Sequence, residues 1–340
     1  MTSVSGIVKK MTMVISIRGN GEQHTMRWTG NKVGLALGGG GVRGLAHIGV
    51  LNVLEQEGIA IDLIAGTSAG ALIGGAYAAG MATRDITARV DAYLKSKEFE
   101  ESAIKALGQS FSPGPKSFFE RAQNFTRNQY YLVRALFSPS ILPCKDFQSL
   151  INYLLPDVNI QDTRIPFYAV STDLITGKQI VLSEGPLRQA VLASSSVPGA
   201  CEPVRLDQWL LADGGVTSLV PVHAARDAGA DIVIAVVVDR DLPANTGIET
   251  AKDVLYRAGE ITANMLEAAE LQNADVIIRP ALGDLHWTDF SRSKDMVAIG
   301  EEAARRVLEE INASLPLSRR FTRFTRRVFK KGGNGDIAGT

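Results

Sequence analysis

Short, nearly continuous apolar runs alternate along this chain with longer stretches in which apolar positions recur every third or fourth residue. Runs of the first kind are strands covered on both faces, and those of the second are helices buried along one side. The pattern predicts strands at Lys32–Leu37, at the start of Ile61–Leu72, and at Phe167–Asp173, Gln179–Ser183, Trp209–Ala212, Asp231–Val238 and Val276–Arg279. Helices are predicted at Leu45–Leu54, closed by Gly58; after Ala69; from an N-cap at Thr83 towards Lys97; and at Asp146–Leu155, Pro186–Leu192, Pro221–Ala228, Thr250–Leu271 and Lys294–Ile311. Strand followed by helix, repeated without an internal repeat, is the order of an α/β fold with a mainly parallel sheet.

Three stretches fall outside this alternation. Residues 1–31 have no clear period and read as an appended segment; 32–312 form the domain proper; 313–340 form a tail. Within the domain, 98–142 gathers aromatic residues among cations and prolines, which fits a helical insertion or a lid beside an acyl-chain groove.

Composition narrows the class. Two cysteines, Cys144 and Cys201, give no disulfide framework and no zinc spacing, so a reducing, cytoplasmic setting is expected, with no structural metal and no cofactor. Leu63–Thr83 lacks charge and is long enough to cross a bilayer. Its Gly, Ala, Ser and Thr content fits burial in an α/β core better. Net charge is zero, but from Ser318 onward seven basic residues face one acidic residue. Phe321, Phe324 and Phe329 alternate there with the cations, so 318–331 reads as an interfacial anchor for peripheral membrane contact; no nucleic-acid partner is expected, and oligomeric state is left open.

The candidate chemistry lies where strands give way to helices. Gly66-Thr67-Ser68-Ala69-Gly70 follows a strand and opens a helix; in a G-x-S-x-G elbow, Gly66 and Gly70 leave room for a tight turn that exposes the hydroxyl of Ser68, the candidate nucleophile. One β-α unit upstream, Gly38 to Gly41 and Gly44 let several amides converge at a helix start. That arrangement suits a phosphate or an oxyanion. No nucleotide-binding string is present, so with Ser68 on the next strand the oxyanion reading wins for Gly39, Gly40 and Gly41, with Arg43 steadying the loop or facing solvent. His47 reads as a packed core residue. Ser194 to Ser196 form a loop with hydroxyl-to-backbone bonds, and Asp213, before Gly214 and Gly215, sits at a strand's end as the candidate acid partner.

Together these blocks resemble the patatin-like phospholipase family over about Asn31–Ile311, in particular its small microbial members. Gly39 to Gly44 is similar to its G-G-G-x-[RK]-G motif, Gly66 to Gly70 to its nucleophile elbow, and Asp213-Gly214-Gly215 to its D-G-[GA] motif. Ala193 to Pro198 with Pro203-Val204 matches a further block. Ser218-Leu219 departs from it where asparagine is common, and Cys201 where an aromatic is common. The resemblance implies a three-layer α/β/α fold, a Ser68–Asp213 dyad without histidine, and acyl esters of phospholipids or lysophospholipids as substrates. The alternatives are a triad using His223 or His286, and a non-catalytic acyl-lipid or partner-binding protein on the same scaffold.

Overall fold

The computed structural model describes residues 31–105, 144–239, 247–283 and 289–316, together with 242, 244 and 319. Its centre is an eight-stranded sheet. The strands are β1 (Val33–Leu37), β2 (Leu63–Thr67), β3 (Phe167–Asp173), β4 (Gln179–Leu182), β5 (Val204–Leu206), β6 (Trp209–Asp213), β7 (Ile232–Val236) and β8 (Val276–Ile278). β3, β2, β1, β7 and β8 pair in parallel in that order, and β4, β5 and β6 add antiparallel pairs.

Alternation along the central strands assigns their two faces. Leu35, Leu37, Ile64, Ile234 and Val236 enter one large core, and Ala36, Leu63, Ala65, Val233 and Ala235 enter a second on the opposite face. Over the first lie α1 (Ala46–Gln56), α2 (Ala69–Ala78), α3 (Thr83–Leu94), α5 (Cys144–Leu154), α6 (Leu187–Ser194), α9 (Ser293–Arg306) and α10 (Leu308–Ser314), while the short α4 (Lys97–Glu100) places Phe99 in a small third cluster with Tyr93 and Ile104. Over the second lie α7 (Val222–Asp227) and the end of α8 (Ala251–Leu271). The fold is thus three-layered, α/β/α. Leu63–Thr83 forms β2, the elbow, α2 and a turn inside it, and no helix among the described residues is long and apolar enough to cross a membrane.

One feature of the sheet positions the site. Ala169 and Val170 of β3 pair with both β2 and β4, whereas Ser171 and Thr172 pair with both β4 and β6. A strand has only two edges, so β6 occupies the same edge as β2, antiparallel to it, and the two strands end side by side. The two strands meet head-on: Thr67 is opposite Val170, and Asp213 is opposite the next residue, Ser171.

Four sequence expectations shift locally. Thr83 is the first helical residue rather than the N-cap, which is Ala82; its hydroxyl instead donates to Glu55 Oε2 at 2.9 Å. α6 runs through Ser194, so the serine run begins inside a helix. The 294–311 helix breaks at Val307, whose φ of −102° and ψ of 14° leave the α region. β5 was absent from the pattern because its hairpin turns at Asp207-Gln208 without a glycine, Asp207 itself taking φ 50°.

Candidate active site

The elbow forms as its sequence requires. Ser68 caps α2 with φ 53° and ψ −119°, a left-handed conformation that costs a non-glycine residue roughly 1–3 kcal/mol. Neighbouring glycines permit it. A Cβ on Gly70 would lie 2.1 Å from Leu37 O, and one on Gly66 2.7 Å from the Ala71 backbone, so neither position admits a side chain without displacing main chain.

Ser194 holds this strained residue in place. Its hydroxyl, fully buried, donates to Val170 O at 2.6 Å and accepts from Ser68 N–H at 3.0 Å, tying the elbow to β3. Ser196 fixes the other partner: its carbonyl accepts from Asp213 N–H at 2.8 Å. The serine run therefore supplies positioning groups rather than a second nucleophile, through contacts across 126 residues that no local motif signals.

Asp213 is 6% exposed, and burial raises its pKa from 3.8 to about 6, against opposing contributions from Ser68 and the Gly215 N–H. Gly215 donates to Oδ1 at 2.7 Å. The Ser68 hydroxyl bonds the same carboxylate, a contact that favours its charged form. Gly214 completes the approach, since a Cβ there would meet Val170 O at 2.3 Å.

The glycine loop reaches the same point, with one correction. Gly39 N–H is already donated to Leu219 O at 2.9 Å, so it is not available to an oxyanion. A Cβ on Gly39 would be 3.3 Å from that of Ser68, so its role is close approach. The amides of Gly40 and Gly41 have no acceptor among the described residues. Arg43 is buried; its Nε donates to Gly40 O at 3.1 Å and its guanidinium pairs with Asp239 at 2.6 Å, which fixes the loop's curvature.

No histidine enters this cluster among the described residues. His47 is fully buried and bonds Gly38 O through Nε2 at 2.8 Å; burial lowers its pKa to about 4, so it stays neutral and braces the glycine loop. His223 is exposed on α7. His286 lies outside the described residues.

From Ser68 an apolar cleft of about 100 Å³ runs between α2, α3 and α5, walled by Leu72, Val90, Leu94, Leu150, Leu154 and Phe290. Ile104 also lines it; the rest of the aromatic-basic stretch, 106–142, lies outside the described residues.

A nucleophile elbow, an acid at the end of an opposing strand and a glycine loop on a three-layer sheet define the class: the chain belongs to the patatin-like phospholipase family, whose sequence model matches residues 35–226. Among its relatives are human patatin-like phospholipase domain-containing protein 6, 34% identical over 214 residues that cover 62% of this chain and 14% of that protein, and an uncharacterized NTE family protein of Mycobacterium tuberculosis, 34% identical over 207 residues, 60% of this chain and 48% of that protein. The chain thus spans less than half the length of these relatives. VipD from Legionella pneumophila overlays with a TM-score of 0.46 at 15% identity, covering 91% of this chain and 72% of that one, too loosely to bear on fold or function.

Proposed function

We propose that the protein is a serine acyl hydrolase in which Ser68 and Asp213 act as a dyad on acyl esters of phospholipids or lysophospholipids. The observation that carries this reading is the head-on meeting of β2 and β6, which sets the Ser68 hydroxyl against a buried carboxylate, beside two amides without an acceptor among the described residues and at the wall of an apolar cleft. Family membership supports lipid ester hydrolysis in general; the cleft supports a long acyl chain in particular.

The steps follow from the groups present. Ser68 Oγ attacks the ester carbonyl and its proton passes to Asp213, whose raised pKa makes it a stronger base than an exposed carboxylate. The Gly40 and Gly41 amides receive the carbonyl oxygen as it becomes an oxyanion. Collapse of the tetrahedral intermediate breaks the ester C–O bond; the departing alkoxide takes the proton from Asp213, and the acyl group remains on Ser68. Water then gives a proton to Asp213 and attacks the acyl-enzyme, releasing the fatty acid and returning the proton to Ser68.

Turnover of p-nitrophenyl esters and of lysophospholipids by Ser68→Ala, Asp213→Asn and His286→Ala decides the matter. The dyad requires losses of about a thousandfold or more in the first two variants, with the third near wild type. Activity lost in His286→Ala and retained in Asp213→Asn would replace the dyad with a triad.

A further inference from the structure

The loop after the acid motif, residues 214–220, touches both halves of the site. Leu219 O accepts from Gly39 N–H at 2.9 Å, and Ser218 O accepts from Thr67 Oγ1 at 2.9 Å, directly before the nucleophile. Ser218 N–H closes the loop on Gly214 O at 2.8 Å. Ser218 thus joins the acid loop to the elbow strand, and its neighbour Leu219 joins the same loop to the glycine loop. Ser218 is fully buried.

The Ser218 hydroxyl is itself held from a different element. It donates to Glu270 Oε1 at 2.6 Å, at the end of α8; Glu270 is 4% exposed, and the Val220 backbone adds a second favourable contact from the same loop. Nothing in the dyad chemistry uses this carboxylate. A buried acid is costly unless it is bonded, and here the bonds go to the loop, while Oε2 has no hydrogen-bond partner among the described residues. The other charged groups around it are Glu267, likewise buried, and Arg279, which pairs with Glu267 at 3.4 Å.

We propose that Glu270 is a positioning residue for catalysis: through Ser218 it fixes loop 214–220 so that Asp213 and the glycine loop keep their places around Ser68. The proposal rests on the dyad reading for its kinetic consequences and on geometry alone for its structural ones. A glutamine at 270 keeps a carbonyl acceptor for Ser218, whereas alanine at either position breaks the strut.

Two readouts test it. Hydrogen exchange followed by mass spectrometry over 213–221 is expected to quicken about tenfold or more in Glu270→Ala and Ser218→Ala, and to stay within about twofold of wild type in Glu270→Gln. With a short soluble ester, kcat falls about ten- to a hundredfold in both alanine variants while KM moves less than about twofold, Glu270→Gln stays near wild type, and the double alanine variant loses no more than either single one. Unchanged exchange over 213–221 in Glu270→Ala overturns the proposal, as does a Glu270→Gln variant that behaves like alanine. Exchange that quickens as expected in the two alanine variants, with a wild-type protein that shows no esterase turnover, would sink the hydrolase reading and leave the strut standing.

Discussion

Ser68 and Asp213 were both legible from short strings, because each chemistry demands small residues on either side: G-x-S-x-G for a strained turn, D-G-G for a carboxylate approached by backbone. What the strings do not contain is how the pair is held. Ser194 reaches Ser68 from 126 residues away, and nothing local distinguishes it from Ser195 or Ser196. Ser194→Ala removes the acceptor of the Ser68 amide and is expected to lower kcat about ten- to a hundredfold, with Ser196→Ala, whose hydroxyl only bonds Leu192 O at 2.8 Å within its own turn, near wild type. Equal effects of the two would remove the positioning role.

Asp213 also makes a prediction about stability. Its folded pKa, about 6, exceeds the unfolded 3.8, so between those values the folded state holds the extra proton, and stability contributed by this group declines as pH rises from about 4 to about 6. Asparagine carries no such cost and still offers an acceptor to Gly215. Asp213→Asn is therefore expected to be inactive yet about 1–3 kcal/mol more stable than wild type above pH 6, a gap that closes below pH 4 in denaturant titrations. A destabilised Asp213→Asn at pH 8 would mean that burial of the charge is compensated. If the wild-type protein hydrolyses esters through this dyad, the same pKa predicts a rate that rises with pH through about 6.

At the scale of elements, the alternating pattern gave the strands and most helices because a covered parallel strand and an amphipathic helix each bury apolar residues at a fixed period. It failed where tertiary contact decides. β5 exists because β6 lies beside it, and the break at Val307 interrupts an apolar period that runs on unbroken through Ile311. α1 and α9 cross so closely that a Cβ on Gly300 would lie 2.0 Å from Ala46 O. Gly300→Val should cost about 2–4 kcal/mol in chemical denaturation, overpacking plus forced separation of two helices; a loss under about 1 kcal/mol would show that the crossing relaxes. The cleft between α3 and α5 predicts chain-length selectivity. Leu94→Trp and Leu150→Trp are each expected to reduce turnover of long acyl esters about tenfold more than that of butyrate esters. Parallel loss on both would place the acyl chain elsewhere.

For the whole molecule, the meeting of β2 and β6 was the part least visible in sequence. Pairwise strand patterns do not say that two strands share one edge of a third. Composition makes the tail an interfacial anchor, and one described residue of it meets the domain: Arg319 bonds Ala60 O at 3.1 Å and pairs with Asp62 just before β2. That is the amino end of the parallel strands, opposite the end that carries Ser68. A tail that grips a lipid surface from there tethers the enzyme without setting the angle of the cleft. Flotation with anionic liposomes should fall on truncation after Leu317, while turnover of a soluble short-chain ester stays within about twofold. Equal flotation of both forms would end the anchor hypothesis.

The most direct measurement is intact-protein and peptide mass spectrometry after reaction with a long-chain fluorophosphonate. One adduct on Ser68 is expected, absent from Ser68→Ala and formed at least about a hundredfold more slowly in Asp213→Asn. An adduct on another residue, or labelling of Ser68 at the wild-type rate without the carboxylate at 213, would contradict the dyad.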